Sequence, residues 1–136
     1  MKEKIELRKC IDEIIVQLLP ATTEYKCSFE NNISPATNLV TDIEAFLFII
    51  NRLLKLMIQS SYNSSIRISD VEEDDKLSII IMDDNNDYRA FISGKMEKHQ
   101  AIIRKAGCYL CFEFNEKKNI TVILHFTNQR TDRIKG

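Results

Sequence analysis

Apolar residues recur with helical spacing between Asp42 and Ser60, at Phe46, Ile49, Ile50, Leu53, Leu54, Met57 and Ile58. Alternating steps of three and one put them on a single stripe, which predicts a long amphipathic helix with Leu53 and Leu54 in the core. Asp42, or Thr41 before it, is placed to cap that helix, and Glu44 and Asp42 favour the positive end of its dipole. An earlier stripe, Leu7, Ile11, Ile14, Ile15, Leu18 and Leu19, predicts a first helix after a short extended segment at Lys4 to Glu6. Pro20 should kink or end it. Cys27 to Ile33 is a strand candidate, closed by Asn31-Asn32 and Ser34-Pro35.

Beyond the long helix, a polar turn from Ser60 to Ser65 leads into Ile66-Arg67-Ile68, which alternates strictly. The acidic run Val71 to Asp75 reads as a hairpin turn. Leu77 to Met82 is near-continuously apolar, a pattern that predicts a buried strand with Ile80 in the core. Asp83 to Tyr88 reads as loop. Ser93-Gly94 should open a third helix, Lys95 to Lys105, which turns Met96, Ala101, Ile102 and Ile103 inward and ends at Gly107. Cys108 to Phe114 and Ile120 to Phe126 alternate as a hairpin around Asn115 to Asn119. The expected order is β-α-β-α-β-β-α-β-β over residues 1–126, with a polar tail, Thr127 to Gly136. Helices on one face of a mixed, mostly antiparallel sheet make a two-layer α+β sandwich.

The 136 residues, 44% of them hydrophobic, suffice for one core without metal or disulfide staples. A net charge of -1 gives no general attraction to nucleic acid or acidic membranes. The basic groups Lys117-Lys118 and Arg130 to Lys135 are thin and interleaved with polar residues. The N-terminus carries acids through its apolar positions and is not a signal peptide. The longest apolar stretch, Ala45 to Ile50, is too short to span a bilayer. The reading is therefore cytoplasmic, with no nucleic-acid or membrane partner and with Cys10, Cys27, Cys108 and Cys111 reduced.

The order of elements, the Leu18-Leu19-Pro20 end of the first helix and Asp42-Ile43-Glu44 opening the long one resemble the ATPase domain of sensor histidine kinases. These belong with gyrase-type topoisomerases, mismatch-repair proteins and anti-sigma-factor kinases among the GHKL, or Bergerat-fold, ATPases. The resemblance implies an Asn on the long helix that ligates Mg²⁺. Alignment from Asp42 puts Leu56 there and Arg52 one turn earlier; a register one residue earlier puts Lys55 there. Neither Leu nor Lys offers an oxygen to a hard cation. The family's Asp-x-Gly-x-Gly, whose Asp accepts the adenine amino proton, corresponds to Asp83-Asp84-Asn85-Asn86. Here Asp83 (or Asp84) keeps the acid, while Asn85 and Asn86 replace glycines, a change that preserves a positive-φ turn but crowds a nucleotide. The implied phosphate-cradling lid has shrunk to Asn85 to Ile92, with Gly94 the lone glycine nearby.

Other chemistry is sparse. Cys108 and Cys111 have a zinc-like spacing, but in a strand an offset of three points them to opposite faces. His99 reads as exposed on the third helix and His125 as a plain strand residue. The acidic run lacks the spacing of a calcium loop. The resemblance therefore implies a catalytically inactive, ATPase-like module without ATP or metal, with Arg52, Lys55, Leu56, Asp83, Asp84 and Asn85 as vestiges of a pocket. Its implied partners are signalling proteins: a receiver domain, a sensor kinase or a sigma factor, with a homodimer left open. A divergent ATPase domain that binds ATP weakly is the alternative, and a convergent α+β domain a third.

Overall fold

The computed structural model describes residues 2–86, 88–115, 119–127 and 129. Lys117-Lys118 and the Arg130 to Lys135 group lie outside the described residues. The chain runs β1 (Lys2–Glu6), α1 (Leu7–Gln17), α2 (Leu19–Tyr25), β2 (Ser28–Asn31), β3 (Asn38–Asp42), α3 (Ile43–Ser60), β4 (Ser65–Glu73), β5 (Lys76–Asp83), α4 (Arg89–Glu97), α5 (Gln100–Lys105), β6 (Cys108–Asn115) and β7 (Asn119–Phe126). The main sheet has the order β2-β4-β5-β7-β6; β2 pairs with β4 in parallel and the other pairs are antiparallel. A separate two-stranded sheet joins β1 to β3. The helices cover one face of the main sheet.

The long helix forms as its stripe requires. Asp42 accepts a hydrogen bond from the Ala45 N–H at 3.1 Å, and every residue of the stripe is fully buried. Phe46 meets Phe126 of β7 edge-on, ring centres 5.9 Å apart, which ties helix layer to sheet. On the inner face Ile66, Ile68, Ile79, Ile81, Val122 and Leu124 join the same cluster.

Four expectations are corrected. Pro20 does not merely end the first helix: the break falls at Leu18, and Pro20 sits in the first turn of a new helix, α2, where its missing N–H costs nothing. Leu19 is consequently exposed. A strand, β3, precedes the long helix; Thr41 within it is buried and its hydroxyl donates to the Ala106 carbonyl at 2.6 Å. The Val71 to Asp75 turn is shorter, because β4 continues to Glu73 and only Asp74-Asp75 turns, with Asp74 at φ +55°. Ile80 is only half-buried, since β5 alternates and the outer face of the sheet has no layer over it among the described residues.

The third helix also differs. It begins at Arg89, so Gly94 lies inside α4 rather than opening it, and it breaks at Lys98-His99. Met96 and Ile103 are buried as expected, whereas Ala101 is exposed. Gly107, at φ +81°, follows the last turn of α5, a left-handed position that glycine adopts without steric cost.

Past β7, the Gln129 side-chain amide accepts from the Val40 N–H at 2.8 Å and donates to the Val40 carbonyl at 3.0 Å. It satisfies β3 as a neighbouring strand would. No helix among the described residues is long and apolar enough to cross a membrane.

Candidate functional site

The end of β5 and the end of α3 meet at a buried polar knot. Asp83 is the last residue of β5 and points to the inner face, where it is fully buried. Its Oδ1 accepts from the Asn85 N–H at 3.2 Å and its Oδ2 from the Asn86 side chain at 3.1 Å. The Asn86 amide also donates to the Met57 carbonyl (3.3 Å) and to Ser60 Oγ (2.9 Å), so it closes the C-terminal turn of α3. Ser61 donates to the Met57 carbonyl at 2.7 Å, and Ser64 to Ser61 Oγ at 3.1 Å. Burial pushes the Asp83 carboxyl above the ordinary carboxylate range, against hydrogen bonds from Asn86, Asn85, Ser64 and Ser61 that favour the charged form.

Asn85 and Asn86 keep the loop turned by a different device from the one expected. Neither has a positive φ. Side chains hold the turn instead: Asp83 Oδ1 takes the Asn85 N–H, and Asn86 Oδ1 takes the Tyr88 N–H at 2.9 Å. Asp84 faces away, and its Oδ1 accepts from the Ser65 N–H at 2.8 Å, pinning the start of β4.

The remaining vestigial residues do not converge on this knot. Leu56 is 4% exposed and shares the core with Ile92 and Met96 of α4, which packs against α3. Arg52 and Lys55 lie elsewhere, along a groove of about 470 Å³ between α1 and α3 with Glu13, Leu47 and Phe48. Of the six residues, only Asp83 and Asn85 bond to one another, while Asp84 and Leu56 are structural and Arg52 and Lys55 form a separate wall. The donor set the resemblance implies for a magnesium–nucleotide does not fit these residues: Leu56 has no oxygen to offer, and Asp83 is fully buried.

Sequence reasoning missed the cleft that remains. About 580 Å³ opens beside the knot, walled by Tyr25, Tyr62, Tyr88 and Phe91, with Gln59 and Asn85 among its polar edges. Tyr62, Tyr88 and Phe91 are about half exposed. The available signal was the placement of three of the chain's four tyrosines at element ends rather than on apolar stripes.

The other candidates have plain surroundings. Cys108 is buried, which pushes its thiol up to about 12, while Cys111 is half-buried on the opposite face of β6. All four thiols are free. Among the described residues no group of His, Cys, Asp and Glu gathers as a metal site would. His99 flanks the start of α5 and packs edge-on against Phe48, 5.0 Å between ring centres, so it is half-buried rather than exposed. His125 stacks on Tyr109 and shares a 3.0 Å hydrogen bond with Ser78 Oγ on the open sheet face.

No protein-family model matches the sequence, and no curated protein sequence matches it. Solved structures do match. The histidine kinase AdeS of Acinetobacter baumannii superposes with a TM-score of 0.81 at 12% identity, over 94% of this chain and 68% of that one. A nucleotide-free form of the catalytic domain of histidine kinase ThkA gives 0.77 at 14% identity, over 94% and 96%. ThkA in complex with the response regulator TrrA gives 0.74 at 13%, over 93% of this chain and 42% of that one. Likeness at such identity is likeness of fold, and the chain has the fold of a histidine kinase catalytic domain.

Proposed function

We propose that this domain is a cytoplasmic interaction module of a signalling system, built on the histidine kinase ATPase fold, that neither binds Mg–ATP well nor turns it over. The observation that carries this reading is the knot at Asp83. A fully buried carboxylate that accepts from Asn85 and Asn86, beneath a helix end closed by the same Asn86, presents no oxygen at the surface to an adenine amino group. Leu56, packed with α4, adds that no oxygen faces a cation there. Desolvating a triphosphate without such contacts is unfavourable.

A signalling protein is the partner this reading expects. The ThkA complex with a response regulator supports a receiver-type partner; a sensor kinase or sigma factor remains within the same class, and so does a second copy of the domain. The surface best suited to it is the α1–α3 groove. Leu47 and Phe48 are exposed there at 38% and 42%, and Arg52 and Lys55 stand beside them. The second reading, a divergent domain that still binds ATP weakly, draws on the open cleft beside Asn85.

Calorimetry and thermal shift with millimolar ATP, with and without Mg²⁺, separate the two. The expected result is no saturable binding and no phosphate release. An affinity tighter than about 100 µM, near 5.5 kcal/mol, overturns the proposal, since a pocket without metal ligand or base acceptor does not supply that much. Titration with candidate response regulators, using Leu47→Asp as the control, tests the groove.

A further inference from the structure

The aromatic cleft has features that neither the fold nor the interaction role requires. Three tyrosines and one phenylalanine reach it from separate segments: the end of α2, the α3–β4 loop and the start of α4. None of its lining side chains among the described residues is charged. Rings left half in water are unfavourable by the area they expose, and four gathered around one space present flat faces to a flat guest.

Two lysines stand beside these rings. Lys26 Nζ lies 5.7 Å from the centre of the Tyr62 ring, and Lys95 Nζ lies 5.5 Å from that of Phe91. Neither lysine forms an ion pair among the described residues. Lys26 is moreover held in the left-handed region, φ +54°, at the end of α2, a position where glycine would be unstrained. Its side chain is thus carried over the ring at a backbone cost. Two ammonium groups beside the mouth repel an organic cation and attract an anion. The described lining residues offer no cation to a second or third negative charge.

We propose that this cleft binds a small aromatic carboxylate, with its ring among Tyr62, Tyr88 and Phe91 and its acid group at the Lys26 and Lys95 rim. This site goes beyond the interaction role proposed above and does not depend on it.

The chain has no tryptophan, so intrinsic tyrosine emission reports mainly on this cleft. Phenylacetate, phenylacetamide and phenethylamine are titrated into the intact protein, with calorimetry alongside. Saturable change with phenylacetate is expected, with binding about fivefold or more tighter than for the amide and weakest for the amine. The pair Lys26→Met and Lys95→Met, checked for an unchanged melting temperature, should erase the preference for the acid while leaving ring binding. Tyr62→Leu should weaken all three ligands. Absence of saturable binding up to about 10 mM, equal affinity for acid and amide, or a preference that survives loss of both lysines each overturns the proposal.

Discussion

Two aspartates with opposite surroundings show how far single residues control this domain. The Ala45 N–H holds the Asp42 carboxyl below its ordinary 3.8, so its contribution is full above that value and is lost as pH falls through the native one. Asp83 has the reverse sign. Burial raises its value, so the native state keeps the proton longer than the unfolded chain does, and stability declines as pH rises from 3.8 to the native value, then levels off. Asp83→Asn should therefore flatten that decline in urea midpoints taken from pH 4 upward, whereas Asp42→Asn should remove the acid-side loss and keep the cap. The cap was legible in the sequence because capping is local. The engagement of Asp83 was not, because its partners come from the loop beyond β5 and from the end of α3, and only folding brings them together.

At the scale of elements, the strongly periodic segments were legible and the short ones were not. The α3 stripe and the β6–β7 hairpin carry their own period. β3 has five residues and no local signal, and it becomes a strand because β1 and Thr41 give it partners. The apolar run in β5 misled at Ile80: composition there suggests two covered faces, and among the described residues the sheet has one. Leu54→Ala should consequently cost about 2–5 kcal/mol by leaving a cavity, with Ile80→Ala costing less than half as much, both read from denaturant unfolding. Gly94 offers a gain. It lies inside α4, and a methyl group there would meet nothing within 4 Å. Gly94→Ala should stabilise the domain by about 0.5–1 kcal/mol. The split of the last helix at His99 has no marker in the sequence; no proline or glycine falls at Lys98-His99.

For the molecule as a whole, the two-layer architecture was readable, because element order suffices for it. The aromatic cleft was not, since its walls lie far apart in sequence. The Gln129 amide carries a further consequence, for where the chain can be cut or joined. It clasps Val40 across 89 residues of sequence, and its own N–H donates to the Asp75 carbonyl at 2.9 Å. A domain trimmed after Phe126 would leave one side of β3 as a bare edge, open to pairing with another chain. Such a truncation should speed amide exchange at Val40 and promote self-association in light scattering. For anyone placing a tag, a fusion partner or a cleavage site, the domain extends at least to Gln129, past β7.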